Sequence, residues 1–160
     1  AQDACAELIF PPVYYHEVSL ILQQGEAMCF APKVFVCDGL DGLLGVENFD
    51  TSLAEGVMLL TPFVAGDDDF SKDYKAKFGE DPIQFAADAY DAIYIMKAAM
   101  EKAGVKPDMS VSDMCEAMKK AMTEITVDGT TGTGMTWSAD GEPSKEPKAM
   151  VIKDGQYVAM

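Results

Sequence analysis

The sequence has 160 residues, 49% of them hydrophobic, and a formal net charge of −15; this length suits one domain or parts of two, with enough apolar residues for a core. The acidic balance argues against nucleic acids and anionic membrane surfaces as partners, because both are negatively charged and are bound through basic patches. No apolar run approaches the roughly 18 residues of a membrane-spanning helix, so we expect no insertion into a membrane.

The first third of the chain alternates strand and helix patterns. Short apolar runs predict buried strands at 6–10 ("AELIF"), 33–37 ("KVFVC") and 56–63 ("GVMLLTPF"). Between the first two, apolar residues at helical spacing predict a helix over 17–28. The order strand, helix, strand, loop, strand is typical of parallel βαβ units, so we predict an α/β fold.

Two helices are predicted after the acidic connection "VAGDDDFSK". Ser71 is the expected N-cap of a short helix that continues to Phe78 and ends at Gly79. The clearest helical pattern covers 84–104 and ends in a glycine. Its apolar stripe, which we expect to face a core, comprises Phe85, Ala89, Ala92, Ile93, Met96, Ala99, Met100 and Ala103.

A last helix is predicted over 109–122, where Ser110 and Asp113 give a start signal related to the capping box. The tail contains two Asp-Gly pairs, at 140–141 and 154–155, and each predicts a hairpin. The helix side chains expected to face inward are Val111, Met114, Cys115, Met118 and Met122.

The cysteines and the single histidine give no metal-binding pattern. Cys5, Cys29, Cys37 and Cys115 form no C-x-x-C pair, and His16 is the only histidine. A zinc site is therefore not expected. We expect buried free thiols, and a Cys29–Cys37 disulfide is an alternative that the spacing does not support.

Several enzyme and cofactor motifs are absent. The sequence contains no G-x-G-x-x-G, no G-x-x-x-x-G-K-[ST] and no G-x-S-x-G. A Ser-His-Asp triad would have to use His16, which stands at a predicted helix start, and there we expect a solvent-facing or capping side chain. We therefore predict no enzyme and no cofactor.

Polar and aromatic residues follow the three predicted strands. Tyr14, Tyr15 and Glu17 follow the first, Asp38 the second, and Thr61–Phe63 close the third. In parallel sheets ligands bind at the carboxyl ends of strands. A carboxylate and phenol rings together suit an ammonium group, through a charge-assisted hydrogen bond and a cation–π contact. The alternative is that Asp38 forms an Asp-Gly turn and the tyrosines pack.

Five segments occur in register along the chain: "PPVYYHEVSLIL", "CDGLDG", "ENFDTSLAEGV", "QFAADAYDAIY" and "GTTGTGMTWSADGEP". Together they resemble the substrate-binding proteins of branched-chain amino acid ABC transporters, which are similar to the leucine/isoleucine/valine-binding protein. The resemblance covers essentially all 160 residues. It implies the periplasmic binding protein type I fold, in which two Rossmann-like α/β lobes are joined by hinge crossovers and the ligand lies between them.

Because a full-length member is about twice this long, the resemblance implies that the chain is a C-terminal half, a mature or truncated product. It places residues 1–61 in the second lobe and 62–147 in the hinge and the first lobe. Residues 148–160 are expected to return to the second lobe.

The resemblance also implies the ligand-binding residues. Tyr14 or Tyr15 stands where a tyrosine of the family closes over the bound amino acid, and strand alternation would put the two on opposite faces. Asp38 matches the acidic residue that receives the α-ammonium group, although relatives often have glutamate there. Tyr90 matches an aromatic residue of the first lobe, and packing beside Tyr94 is its alternative role.

The implied function is the binding of branched-chain or related amino acids for an ABC importer. The implied partners are the amino acid and a permease in the membrane, with no catalysis and no cofactor. The implied location is extracytoplasmic, either periplasmic or tethered at the cell surface. The alternative is a ligand-sensing receptor or regulator module with the same fold, since fold alone does not fix function.

Overall fold

A computed structural model describes all 160 residues, which divide into two compact units. Unit 1 comprises Ala1–Val64 and Pro147–Met160, and unit 2 comprises Ala65–Glu146. No helix in either unit combines the length and the apolar character required to cross a membrane.

Unit 1 is built on one five-stranded sheet with the strand order β1-β2-β3-β4-β5. The first three strands are parallel neighbours, which confirms the predicted βαβ organisation, and β4 and β5 are antiparallel additions. The strands are β1 (Leu8–Ile9), β2 (Lys33–Val36), β3 (Met58–Thr61), β4 (Lys148–Lys153) and β5 (Gln156–Ala159). Below, the carboxyl edge of the sheet is the edge at which β1, β2 and β3 end, and the amino edge is the one at which they begin.

Helix α1 (Tyr15–Ala27) connects β1 to β2 and supplies Val18 to the core. The core is continuous because alternate strand residues point to the same face of the sheet and meet the apolar side of the helix. Its fully buried members include Val36, Leu40, Leu43 and Leu59.

The predicted hairpin at the end of the chain is confirmed as β4 and β5. Asp154 and Gly155 both have positive φ angles, 50° and 69°. Two central residues with positive φ define the tight turn whose twist matches that of the flanking strands, and an Asp-Gly pair adopts it at low cost.

Unit 2 contains α2 (Asp69–Phe78), α3 (Gln84–Ala103) and α4 (Val111–Met122). The predicted ends at Gly79 and Gly104 are confirmed, since both glycines are left-handed. The predicted N-cap of α2 is wrong: Asp68 is the cap, and its carboxylate accepts the backbone N–H of Ser71 at 2.9 Å. Ser71 lies inside the helix and donates its hydroxyl to Asp68 at 2.6 Å.

The predicted apolar stripe of α3 does not face a core within unit 2. Of that stripe only Ala99 is buried, whereas Ile93 is 66% exposed and Met96 is 52% exposed. The other buried residues of the helix, Gln84, Ala87 and Asp91, do not belong to the stripe. The sequence pattern therefore located an apolar face, but most of that face, including Ile93 and Met96, is exposed.

Helix α4 confirms its predicted start, because the Ser110 hydroxyl accepts the N–H of Asp113 at 3.1 Å. Two of its predicted inward positions are wrong, since Val111 and Cys115 are exposed. The expectation of buried thiols is also wrong for Cys5 and Cys29, which are exposed as well, and all four cysteines are free.

The long segment after α4 is fastened to α3 by a buried carboxylate. Asp91, 3% exposed, accepts the N–H groups of Thr130 and Thr131 at 2.8 and 2.7 Å and the Thr131 hydroxyl at 2.6 Å. A methyl group on Gly129 would lie 2.5 Å from this carboxylate, so the close approach requires glycine. These three hydrogen bonds satisfy the buried carboxylate, which would otherwise be costly to remove from water.

Candidate ligand-binding site

Two loops leave the carboxyl edge of the sheet side by side. One follows β1 and leads into α1, and the other follows β2 as a short 3-10 turn, Asp38–Leu40. Because β1 and β2 are paired in parallel, with Ile9 beside Val34, their following loops start at the same edge.

Tyr14 packs onto the loop that carries Asp38. A methyl group on Gly39 would lie 2.9 Å from the Val13 carbonyl oxygen and 3.3 Å from Cδ1 of Tyr14. The loop following β1 therefore rests directly on Gly39, the neighbour of Asp38 in sequence. Tyr14 remains 62% exposed, so most of its ring faces solvent at this edge.

Tyr15 has a different environment. Its ring packs over Gly42, where a methyl group would lie 3.2 Å from Cδ1 and Cε1, and it contacts the unit 1 core. Gly42 has a φ of 109°, which only glycine adopts readily. The expectation that strand alternation separates the two tyrosines is wrong, because Tyr14 is the N-cap residue of α1 and Tyr15 is its first helical residue.

Asp38 is exposed at the end of β2. Its carboxylate has no hydrogen bond or ion pair within the chain, in contrast to the capping carboxylate of Asp50. Lys33, the only lysine in residues 1–64, lies at the other end of β2. An accessible carboxylate that makes no ion pair within the chain is suited to binding an ammonium group.

A second aspartate lies behind this loop. Asp41 is 8% exposed, and its negative charge acts on Tyr157, a half-buried residue of β5. Burial first, and the Asp41 charge second, raise the pKa of Tyr157, and the amides of Gly42–Leu44 oppose the shift only in part. The loop that follows β2 therefore packs near the phenol of Tyr157, which stays neutral to a higher pH than a free tyrosine.

The other residues named at the strand ends contribute less to this edge. Thr61 and Phe63 are buried, and the Thr61 hydroxyl donates to the Phe63 carbonyl at 2.8 Å, which closes a local turn. His16 is exposed in the first turn of α1, and its backbone carbonyl accepts the Ser19 hydroxyl at 2.6 Å. No group of three or more potential ligand side chains is arranged to hold a metal ion.

Tyr90 belongs to unit 2, where it is part of a row of rings. Its ring centroid lies 4.8 Å from that of Phe70 on α2 and 4.9 Å from that of Tyr94 one turn along α3. The hydroxyls of Tyr90 and Tyr94 are 3.3 Å apart, and this hydrogen bond raises the pKa of Tyr90. Tyr90 is 44% exposed, so it packs beside Tyr94 and still presents ring surface.

Sequence reasoning missed the roles of Gly39 and Gly42. The prediction for the repeat Asp-Gly-Leu-Asp-Gly rests on its first aspartate alone. Its glycines allow the two tyrosine rings to approach the loop backbone. A signal for this packing is present in the sequence. Two glycines three residues apart follow a buried strand, and two adjacent tyrosines follow the preceding strand.

The family of the chain is shown by comparison with known proteins. A family model described as periplasmic binding protein matches residues 35–156. The chain therefore belongs to the periplasmic binding protein family, a family of solute-binding proteins, and its α/β architecture is the expected periplasmic binding protein type I fold. A search of curated protein sequences gave no match.

Solved structures with the same fold include three informative ones. A leucine-binding protein, LivK, from Thermotoga maritima has a TM-score of 0.76 and 23% identity, covering 96% of this chain and 43% of that one. The branched-chain amino acid binding protein LivJ from Streptococcus pneumoniae, solved with isoleucine, has a TM-score of 0.75, 24% identity and the same coverages. A solute-binding protein from R. palustris, solved with benzoate, has a TM-score of 0.75 and 17% identity, covering 96% and 42%. The chain thus spans less than half the length of these structures.

Proposed function

We propose that the chain is the C-terminal part of an extracytoplasmic solute-binding component of an ABC importer for branched-chain or related amino acids. The observation that carries the proposal is the packing of Tyr14 onto Gly39, which joins an exposed phenol to the Asp38 loop at the carboxyl edge. The isoleucine bound in the LivJ structure is the kind of ligand that such an edge suits.

In this proposal Asp38 receives the α-ammonium group of the ligand. Its free carboxylate supports the role, because a charge-assisted hydrogen bond contributes about 1.5–3 kcal/mol. The same charge disfavours a ligand such as benzoate, which is an anion without an ammonium group. An amino acid is therefore the better candidate than the aromatic acid bound by the R. palustris relative.

Of the two adjacent tyrosines, Tyr14 is the better candidate for contact with the ligand. Tyr15 is packed between Gly42 and the core and acts as support for the loop. Tyr14 is exposed and adds a ring whose cation–π contact with an ammonium group contributes about 0.5–2 kcal/mol. Tyr90 is the candidate ligand-contact residue of unit 2.

The exposed apolar surfaces support the proposal that the chain is one part of a longer protein. The uncovered stripe of α3 includes Ile93 and Met96, and Phe10 at the end of β1 is 50% exposed. Apolar faces of this kind normally pack against another element. We assign residues 1–61 and 148–160 to the second lobe of the longer protein and 62–147 to the hinge and first lobe.

The proposed cycle contains binding and release but no catalysis. Closure of the two lobes about the hinge traps the amino acid, and the closed form docks on the membrane permease. The protein acts outside the cytoplasm, in the periplasm or tethered at the cell surface.

The test is calorimetric titration of leucine, isoleucine and valine into the longer protein and its Asp38→Asn variant. We expect the variant to bind at least about 10-fold more weakly, because it loses a charge-assisted bond. Glu26→Gln removes an equal charge from an exposed position at the far end of α1 and should leave affinity unchanged. Unchanged affinity in Asp38→Asn, or tighter binding of benzoate than of leucine to the parent protein, would contradict the proposal.

A further inference from the structure

The Asp38 loop, residues 38–45, is held in shape by local hydrogen bonds. It consists of two short 3-10 turns, Asp38–Leu40 and Leu43–Gly45. Within the second turn, the N–H of Gly45 donates to the Gly42 carbonyl at 3.0 Å. Such bonds fix the shape of a turn, whereas its place against the rest of unit 1 depends on the packing of side chains.

The packing of this loop involves the unit 1 core and two aromatic rings. Leu40 and Leu43 are fully buried in the core. Tyr15, from the first turn of α1, lies over Gly42, where a methyl group would be 3.2 Å from its ring. The second ring is that of Tyr157, which packs against the same core from β5, the last strand of the chain.

Tyr157 is the residue of β5 that faces the core. Its neighbours along the strand, Gln156 and Val158, are exposed, and it lies opposite the fully buried Ile152 of β4. Its hydroxyl oxygen is buried, and the amides of Gly42–Leu44 are near enough to it to oppose the rise of its pKa. The side chain therefore extends from the β4–β5 hairpin to the middle of the Asp38 loop.

The ring of Tyr157 contributes more to this contact than its hydroxyl. An aromatic ring fills a large apolar volume, so its removal would leave a space beside Gly42–Leu44 into which the loop can move. The hydroxyl makes no hydrogen bond of normal geometry. Phenylalanine can therefore take the place of this tyrosine, whereas a smaller aliphatic residue cannot.

We propose that Tyr157 is a positioning residue of the candidate ligand-binding site: its ring sets the place of the Asp38 loop and thereby the place of the Asp38 carboxylate. The inference rests on the proposed function in taking Asp38 as the group that receives the ammonium group of the ligand. Coupling between two sites is reciprocal, so a ligand held by Asp38 must also stabilise the β4–β5 hairpin. The hairpin then acts in binding although it is distant from Asp38 in sequence.

The test compares Tyr157→Leu, which removes the ring, with Tyr157→Phe, which keeps it. Val34→Ala is the matched control, because Val34 belongs to the same core but lies on β2, which β3 and β4 separate from β5. The longer protein is used throughout. Amide hydrogen exchange is followed by mass spectrometry for the Asp38 loop and for the hairpin, and calorimetry measures the affinity for leucine.

We expect Tyr157→Leu to speed exchange in the Asp38 loop about 10-fold and to weaken leucine binding by a similar factor. Tyr157→Phe should match the parent protein in both measurements. Val34→Ala should lower the melting temperature but leave loop exchange and affinity unchanged.

Two further measurements separate positioning from a general loss of stability. In an Asp38→Asn background, Tyr157→Leu should cause no additional loss of affinity, because the two residues act through one carboxylate. Saturating leucine should slow exchange in the β4–β5 hairpin of the parent protein but not in that of Tyr157→Leu.

Equal loop exchange in Tyr157→Leu and Val34→Ala would overturn the inference. Unchanged leucine affinity of Tyr157→Leu would also overturn it, if Asp38→Asn binds weakly. Failure of the proposed function gives a different result, since Asp38→Asn itself then binds leucine normally. In that case faster loop exchange in Tyr157→Leu would still support the placement of the loop by Tyr157, and equal exchange would still overturn it.

Discussion

Replacement of Gly39 by alanine should destabilise unit 1 and displace Tyr14. The new methyl group would lie 2.9 Å from the Val13 carbonyl oxygen, which is closer than real side-chain carbons approach such atoms. The obstructing atom belongs to the backbone, so it cannot move aside by a change of rotamer. The loops must therefore separate by a few tenths of an ångström.

The expected change in the free energy of unfolding of Gly39→Ala is the difference between two opposing effects. Overpacking of a well-filled site costs about 1–3 kcal/mol. Gly39 does not have a positive φ, so alanine also gains about 0.4–1 kcal/mol by reducing the freedom of the unfolded chain. We expect a net loss of about 1–2 kcal/mol, which corresponds to a decrease of about 3–6 °C in melting temperature for a chain of this size.

The assay is urea denaturation followed by far-UV circular dichroism, with Gly45→Ala as the matched control. Gly45 lies five residues after the end of the same 3-10 turn and has no positive φ, and a methyl group added to it would have no other atom within 4 Å. Its replacement should be neutral or slightly stabilising. If Gly39→Ala is as stable as Gly45→Ala, the close packing of the two loops is wrong.

Three further predictions concern single polar groups. Asp91→Asn should cost about 3 kcal/mol in chemical denaturation, because two backbone donors and the Thr131 hydroxyl lose a buried carboxylate; Asp88→Asn, at a more exposed ion pair, should cost far less. Tyr157→Phe should be nearly neutral at pH 7, because the buried hydroxyl makes no hydrogen bond of normal geometry, although the amides of Gly42–Leu44 are near enough to oppose the rise of its pKa. Since the folded-state pKa of Tyr157 is raised, the parent protein should lose stability as the pH rises above about 10, and the variant should lose less; equal losses would contradict this. Asp68→Ala should cost about 1 kcal/mol as a lost N-cap. Burial acts to raise the pKa of Asp68, but hydrogen bonds from Ser71 outweigh it and lower the pKa. The contribution of the carboxylate to the cap should therefore decline as the pH falls below about 4 and disappear only below the lowered folded-state pKa, so the difference between the two proteins in denaturation should narrow at low pH; a difference that stays constant would contradict this.

The elements that could be predicted from the sequence are those with a strong local signal. The three parallel strands, the helix ends at Gly79 and Gly104, and the Asp154-Gly155 hairpin each depend on residues close in sequence. The sequence does not distinguish the N-cap of α2, because Asp68 and Ser71 are both good cap residues three positions apart. The structure identifies Asp68 as the N-cap, because its carboxylate accepts the backbone N–H of Ser71.

The features that could not be predicted depend on partners distant in sequence. The apolar stripe of α3 is evident from its period, but the period does not say which element covers it, and unit 2 leaves Ile93 exposed. The separate roles of Tyr14 and Tyr15 follow from the place where α1 begins. Because patterns locate helix ends only to within a few residues, the sequence does not say which tyrosine is the N-cap and which is the first helical residue.

The charge distribution of residues 1–64 bears on the proposed role of Asp38 as a binding group. This segment contains nine acidic residues and a single lysine, Lys33, which lies at the amino edge. Some carboxylates of the segment are occupied in local structure: Asp50, for example, accepts two hydrogen bonds from Ser52. Asp38 has no hydrogen bond or ion pair of this kind, so its carboxylate is open to a cation that arrives from solution. In the proposed function an ammonium group neutralises this carboxylate and the exposed ring of Tyr14 covers it, whereas an anion would be repelled by the excess of negative charge. Under the proposed function, the local excess of negative charge would therefore favour ligands that carry an ammonium group over anionic ligands.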